Sequence, residues 1–222
     1  MQADWYTINN IDEIDSPALV IYPERVKENI RILKTFVPDL NRLRPHIKTN
    51  KSPEVVRLMI DSGISKFKCA TIAEAEMLAM EGAADVLLAY QPVGPKGKRF
   101  AELSKKFSNI RFSCLVDNER TAQQLSDVGK KYGPINVFVD LNVGMNRTGI
   151  APTDALDLCL KIAKMDDLTF AGLHAYDGHL RDAELEIRTK KVNQAFEAVE
   201  KLQTDILKAT GQTPVIVAGG TP

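Results

Sequence analysis

Cysteine is scarce in this sequence and does not pair. Cys69, Cys114 and Cys159 lie far apart, with no spacing that suits a metal site or a disulfide framework. Together with a polar start, MQADWYTINN, and no apolar leader, this reads as a reduced, cytoplasmic chain. Long apolar runs are missing too. None approaches the roughly 18 residues of a membrane span, so no membrane partner is expected. Nor is there an excess of either charge: Lys plus Arg and Asp plus Glu number 29 each, which removes the broad basic field that nucleic-acid binding needs. Two nucleotide fingerprints are also absent, since no GxGxxG follows the first apolar run and no P-loop occurs.

What is present is alternation. Apolar runs at 18–22, 43–48, 66–71, 85–90, 111–117, 135–142, 168–176 and 214–220 predict strands, and helical patterns fill the gaps. Several helices announce their ends. Ser52 precedes Pro53 and Glu54, and Gly63 stops that helix; Thr71 and Glu74 form a capping box closed by Gly82. Strict alternation implies parallel strands with right-handed crossovers, in a doubly wound sheet or a barrel. Polar residues decide between them. Lys48, Thr71, Gln91, Asp117, 142–147, 174–179 and 219–221 gather at the C-terminal ends of many strands, as in an α/β barrel, where a doubly wound sheet would concentrate them at one switch point.

Four stretches carry chemistry. In RPHIKTNK, alternation puts Arg44, His46 and Lys48 on one face, inward in a barrel, where the three would need an anionic ligand in the mouth. Lys48 is a candidate imine-forming amine there; a solvated basic loop, or ion pairs with distant carboxylates, is the plain alternative. DLNVGMNRTG runs from a buried strand into a loop that presents Arg147 to an anionic oxygen, or is turn chemistry alone. GLHAYDGHL places His174 and Tyr176 on one side of a strand. A metal site could be drawn from His174, Asp177 and His179, but the turn does not hold them on one face, and contact with an aromatic cofactor suits the pair better. Gly219, Gly220 and Thr221 follow the last apolar run and offer bare amides and a hydroxyl to a phosphate, or form an ordinary tight turn. An imine-competent lysine, an arginine, an aromatic and imidazole pair and a glycine-rich cradle are together the parts that pyridoxal 5'-phosphate requires.

In that order and at those separations, RPHIKTNK, CATIAEAE, VDLNVGMNRTGI, GLHAYDGHL and GGTP resemble the alanine-racemase-like, fold type III pyridoxal enzymes, and within them the D-threonine aldolase and D-serine dehydratase branch. The resemblance runs from about residue 16 to the end; it departs at Asn50, where the family motif has histidine. It implies a (β/α)8 TIM-type barrel, of which about seven strands are present. Residues 1–23 would form a segment whose strand joins a β-rich C-terminal domain, and 24–222 the pyridoxal-phosphate-binding barrel. Lys48 would be the Schiff-base lysine, Arg147 the partner of the phenolic oxygen, and Tyr176 a neighbour of the pyridine nitrogen. His174 would line the pocket, and Gly219, Gly220 and Thr221 would bind phosphate. The implied activity is a lyase cleaving a small D-3-hydroxy amino acid to glycine and an aldehyde, with dehydratase, racemase and non-catalytic cofactor carrier as alternatives. A divalent metal (Mn, Mg or Zn) would sit in the C-terminal domain, the full-length protein would be a homodimer, and the chain by itself would be incomplete and inactive.

Overall fold

The computed structural model describes residues 4–219. Six parallel strands form one sheet, β1 Lys66–Cys69, β2 Asp85–Leu88, β3 Arg111–Val116, β4 Ile135–Leu141, β5 Leu168–Ala175 and β6 Val215–Ala218. Their spatial order is their order in the chain. A doubly wound sheet reverses direction at a switch point, whereas sequential winding is how a barrel is built, so the barrel expectation holds as a curled, open arc of strands among the described residues.

Among the described residues there are seven α-helices, α1 Pro23–Phe36, α2 Pro53–Asp61, α3 Ile72–Met80, α4 Pro95–Lys106, α5 Glu119–Tyr132, α6 Ala155–Ile162 and α7 Leu185–Thr210, and α3 to α7 carry the five crossovers between strands. The predicted caps form. The Ser52 hydroxyl accepts from the Val55 amide and the Thr71 hydroxyl from the Glu74 amide, which fixes where α2 and α3 begin. Glu74 turns its carboxylate back to the Ala70 amide, 2.8 Å away, and not to that of Thr71. Among the described residues no helix is long and apolar enough to cross a membrane.

The sheet has a large core on one face and a small one on the other. Val86, Leu88, Cys114, Val116, Val137 and Val139 face the helices, while Leu87, Leu115, Phe138 and Val217 form the inner cluster. Apolar residues at nearly every position of β4 thus serve two cores. All three cysteines are buried and free, and burial pushes their thiols up, so they are packing residues.

Two expected strands differ. Residues 18–22 form no strand among the described residues, and Leu19 is 77 % exposed. In the stretch 43–48, only His46 pairs, opposite Lys68 on β1: the Ile47 amide donates to the Lys68 carbonyl and the Lys68 amide to that of Pro45. After Ile47 the chain turns and the Lys51 amide bonds back to the Ile47 carbonyl, with Lys51 at φ 47°. A strand cannot continue through that turn, so the inward alternation stops before Lys48.

One irregularity in the sheet aims a functional side chain. Between β4 and β5, Val137 pairs with Phe170 but Phe138 with Gly172, so Ala171 is an extra residue, a bulge. Phe170 faces the helices and Ala171 the inside; strict alternation from there would turn His174 outward. The extra residue restores the phase, and His174 pairs with inward-facing Asp140. Gly172 makes this close approach possible. It has φ 143°, and a Cβ on it would lie 2.1 Å from the Val215 carbonyl oxygen.

Candidate cofactor site

At the C-terminal ends of the strands, three cations converge on one aromatic ring. Arg147 lies with Cζ 5.3 Å from the Tyr176 ring centre, Lys48 with Nζ 5.8 Å away and Lys68 with Nζ 6.0 Å away. None of the three forms a salt bridge with the described residues; Lys68 is buried, while Lys48 and Arg147 are exposed. Like charges gathered with no carboxylate in ion-pair contact are costly to hold, so this arrangement favours an anion.

Each member is placed by its own local geometry. The turn at residues 47–51 presents Lys48. The ring of His46 holds it there, since its Nδ1 accepts the Lys48 amide at 3.2 Å, and burial followed by the charges of Lys48 and Lys68 lowers His46 to about 4. His46 is therefore a neutral acceptor at neutral pH. Across the turn, Lys51 makes an ion pair with Glu74 at 3.5 Å and ties the loop to α3. Arg147 sits on a loop closed by hydrogen bonds between Asn142 and Ile150 and between Ile150 and Asp140. Inside the loop, the Asn142 Oδ1 accepts the amides of Gly144 and Asn146. The ring of His179 lies against Gly144, joining this loop to the one after β5.

Tyr176 needs Gly178. A Cβ at that position would meet the tyrosine hydroxyl at 2.2 Å and its Cζ at 2.3 Å, so the ring can lie where it does only over a bare backbone.

Beneath the ring is a buried network centred on Asp140. Its Oδ1 is 2.7 Å from His174 Nδ1, and its Oδ2 accepts from the Gln91 amide at 3.1 Å and the Thr148 hydroxyl at 2.9 Å. Gln91 also donates to Asp117, which accepts the Gly149 amide as well. Burial lowers the pKa of His174 against the opposing pull of its bond to Asp140. The neutral ring then carries its proton on Nδ1, toward the carboxylate, and leaves Nε2 as a bare acceptor. That atom is buried without a partner, and a group left so is expected to face a donor from a ligand or from water.

The RPHIKTNK residues divide. Lys48 and His46 line a cavity of about 790 Å³ together with Lys68, Tyr176, Ala218 and Gly219. Arg44 borders it too, but its guanidinium is committed to a bidentate pair with Asp85 at 2.7 and 2.9 Å. The expectation that all three basic residues await an anion is corrected for Arg44, whose charge is already met within the fold, and for neutral His46. Gly219 opens the loop beyond β6 at φ 102°; Gly220 and Thr221 lie outside the described residues. Among the described residues no three His, Cys, Asp or Glu side chains converge to hold a metal, and His174 has turned to Asp140 and not to Asp177 and His179.

Two central residues do not stand out in the sequence. Lys68 lies between Phe67 and Cys69, both fully buried against the helices; that alternation is the signal that turns Lys68 inward. Asp140 is the one charge in the apolar run of β4, and the same two-residue period marks it.

Pyridoxal 5'-phosphate carries a phosphate, a phenolic oxygen and an aldehyde, and the donor set fits it. Lys48 supplies an amine, Arg147 and Lys68 supply positive charge, Tyr176 offers an aromatic face, and His174 brings a free ring nitrogen.

Comparison with known proteins agrees with this fit. The family model described as alanine racemase, N-terminal domain, matches residues 21–222. A 3-hydroxy-D-aspartate aldolase of Paracoccus denitrificans is 30% identical over 214 residues, covering 94% of this chain and 54% of that protein. A D-threonine aldolase of Arthrobacter is 28% identical over 213 residues, covering 94% and 55%. Among solved structures, D-threonine aldolase from Filomicrobium marinum superposes with a TM-score of 0.84 at 28% identity, over 95% of this chain and 57% of that one. The chain thus spans about half the length of the curated relatives it matches. With the family model matched along nearly all of its length, the chain belongs to the alanine racemase N-terminal domain family of fold type III pyridoxal phosphate enzymes.

Proposed function

We propose that the protein is a pyridoxal-phosphate-dependent lyase that cleaves a D-3-hydroxy amino acid between Cα and Cβ, giving glycine and an aldehyde. The observation that carries this reading is the convergence of unpaired Lys48, Lys68 and Arg147 on the Tyr176 ring, above the buried Asp140–His174 pair. When bound, the cofactor supplies the electron sink for the pair left on Cα as the bond to Cβ breaks.

The chain's own residues do the rest. Lys48 Nζ would hold the cofactor's aldehyde carbon, and its amine would return a proton to the substrate's Cα. Arg147 would supply the positive charge for the phenolic oxygen. Tyr176, held in place over Gly178, would lie near the pyridine nitrogen. His174, fixed as one tautomer by Asp140, lines the pocket as a neutral acceptor and cannot swing away without breaking a buried, charge-assisted hydrogen bond. Gly219, with Gly220 and Thr221 beyond the described residues, would bind the phosphate. The divalent metal expected to bind the substrate's β-hydroxyl falls outside the described residues in this reading.

Names of the matched relatives favour D-threonine or 3-hydroxy-D-aspartate as substrate. The test is to express the protein from its whole reading frame, supply pyridoxal 5'-phosphate and a divalent metal, and measure products from each amino acid in both configurations. Glycine with an equal amount of aldehyde, from the D isomers only, is the expected result. Ammonia and a keto acid without glycine would make it a dehydratase, and appearance of the L isomer a racemase; either would overturn the aldolase reading.

A further inference from the structure

Lys68 has no role above beyond its charge, yet its setting is the most constrained of the three cations. It is only 7 % exposed, on the edge strand β1, and pairs with Leu87 on one side and His46 on the other. From the 43–51 segment, Arg44, His46 and Lys48 face it; from β4, Asp140; from β5 and the loop after it, His174, Tyr176 and Asp177. Its counter-charges are spoken for or out of reach. Arg44 is paired with Asp85, Asp140 is filled by His174, Gln91 and Thr148, and Asp177 makes no bond to it. Burial first, and Arg44 and Lys48 after it, bring Lys68 down to about 8, against the pull of Asp140 and Asp177. A lysine built to remain a cation is given a carboxylate partner; this one is held near the point of releasing its proton.

Geometry gives that neutral amine something to react with. Nζ of Lys48 and Nζ of Lys68 lie 5.8 and 6.0 Å from the same ring centre, and both line the same cavity. Lys48 is on the exposed turn at the mouth, and Lys68 reaches up from the strand beside it. We propose that Lys68 is a second carbonyl-reactive amine of this site, able to take the aldehyde carbon of the cofactor when Lys48 is not bonded to it. The inference rests on the reading of the site as one for pyridoxal 5'-phosphate. In the step, the Lys68 nitrogen lone pair attacks the aldehyde carbon, a C=N bond replaces C=O, and the carbonyl oxygen departs as water with the two amine protons. No oxidant or reductant is consumed. The free aldehyde that this needs is present before Lys48 has reacted with the cofactor, or where Lys48 is replaced.

The test is borohydride trapping followed by peptide mass mapping on the protein from its whole reading frame, with one equivalent of pyridoxal 5'-phosphate. Wild type, Lys48→Ala, and Lys48→Ala with Lys68→Met are compared at pH 7 and pH 9, and circular dichroism checks that each is folded. In Lys48→Ala the reduced pyridoxyl group should move to Lys68, at roughly tenfold the level on any exposed lysine, since a larger share of Lys68 is neutral. It should increase from pH 7 to pH 9, and the double variant should lose it. If wild type is labelled at Lys48 while Lys48→Ala carries no label on Lys68, this inference fails and the cofactor reading stands. If wild type is labelled at neither lysine, both fail.

Discussion

Lys68→Met should make the cofactor-free protein more stable at neutral pH. The amine is buried, has no ion-pair partner among the described residues, and releases its proton at about 8 where an ordinary lysine does so at 10.5. In the unfolded chain the proton stays until about 10.5. Between pH 8 and 10.5 the unfolded state therefore binds more protons than the folded one, and stability rises with pH across that window; below pH 8 both states are protonated and the full cost of burying the charge is present. Each tenfold change in proton affinity is worth about 1.4 kcal/mol, which puts that cost at about 3 kcal/mol. Methionine has a similar shape and no charge, so after allowing for imperfect packing the expected gain at pH 7 is roughly 1–3 kcal/mol. Urea unfolding followed by circular dichroism at pH 7 and pH 10 measures it. The gain should be largest at pH 7 and mostly gone at pH 10. A variant that is less stable at pH 7, or one that gains equally at both, would refute the picture of an unpaired buried ammonium. A residue kept against stability in this way is the kind expected at a functional site.

Asp140→Asn should destabilise the fold by about 2–5 kcal/mol, because an amide cannot accept from His174, Gln91 and Thr148 together and turns a donor toward donors. Equilibrium unfolding reads this, and a loss below about 0.5 kcal/mol would show that the network is dispensable. Gly178→Ala should displace the Tyr176 ring, since the new methyl would overlap the hydroxyl. Cofactor affinity, followed by absorbance titration, should then fall by about tenfold or more, with an unchanged affinity contradicting the placement of Tyr176 at the cofactor.

How much was legible in the sequence differs by element. Six of the predicted strands, β1 to β6, appear with ends close to their expected places because short runs between well-marked helices leave little choice. The stretch at 43–48 was harder to read. Its alternation is real up to Ile47, but the turn through Lys51, with a positive φ at a non-glycine residue, belongs to tertiary contacts such as the Lys51–Glu74 pair. Lys48 and Arg147 both lie near the Tyr176 ring, and His174 is paired with Asp140. Arg44 did not join them, since its carboxylate partner Asp85 is 41 residues away in sequence and no local pattern names it. Lys68 and Asp140 were visible as charges inside strands, but their importance comes from which face they occupy. The bulge before Gly172 determines that His174 meets Asp140, and a bulge leaves no periodic signature.

The central claim is that Lys48 holds pyridoxal 5'-phosphate at this site. Reconstituting the protein with one equivalent of the cofactor, reducing with borohydride and mapping the peptides tests it most directly. In the wild type at pH 7 the reduced pyridoxyl group should be found on Lys48. A wild-type protein with no label on Lys48 would contradict the claim.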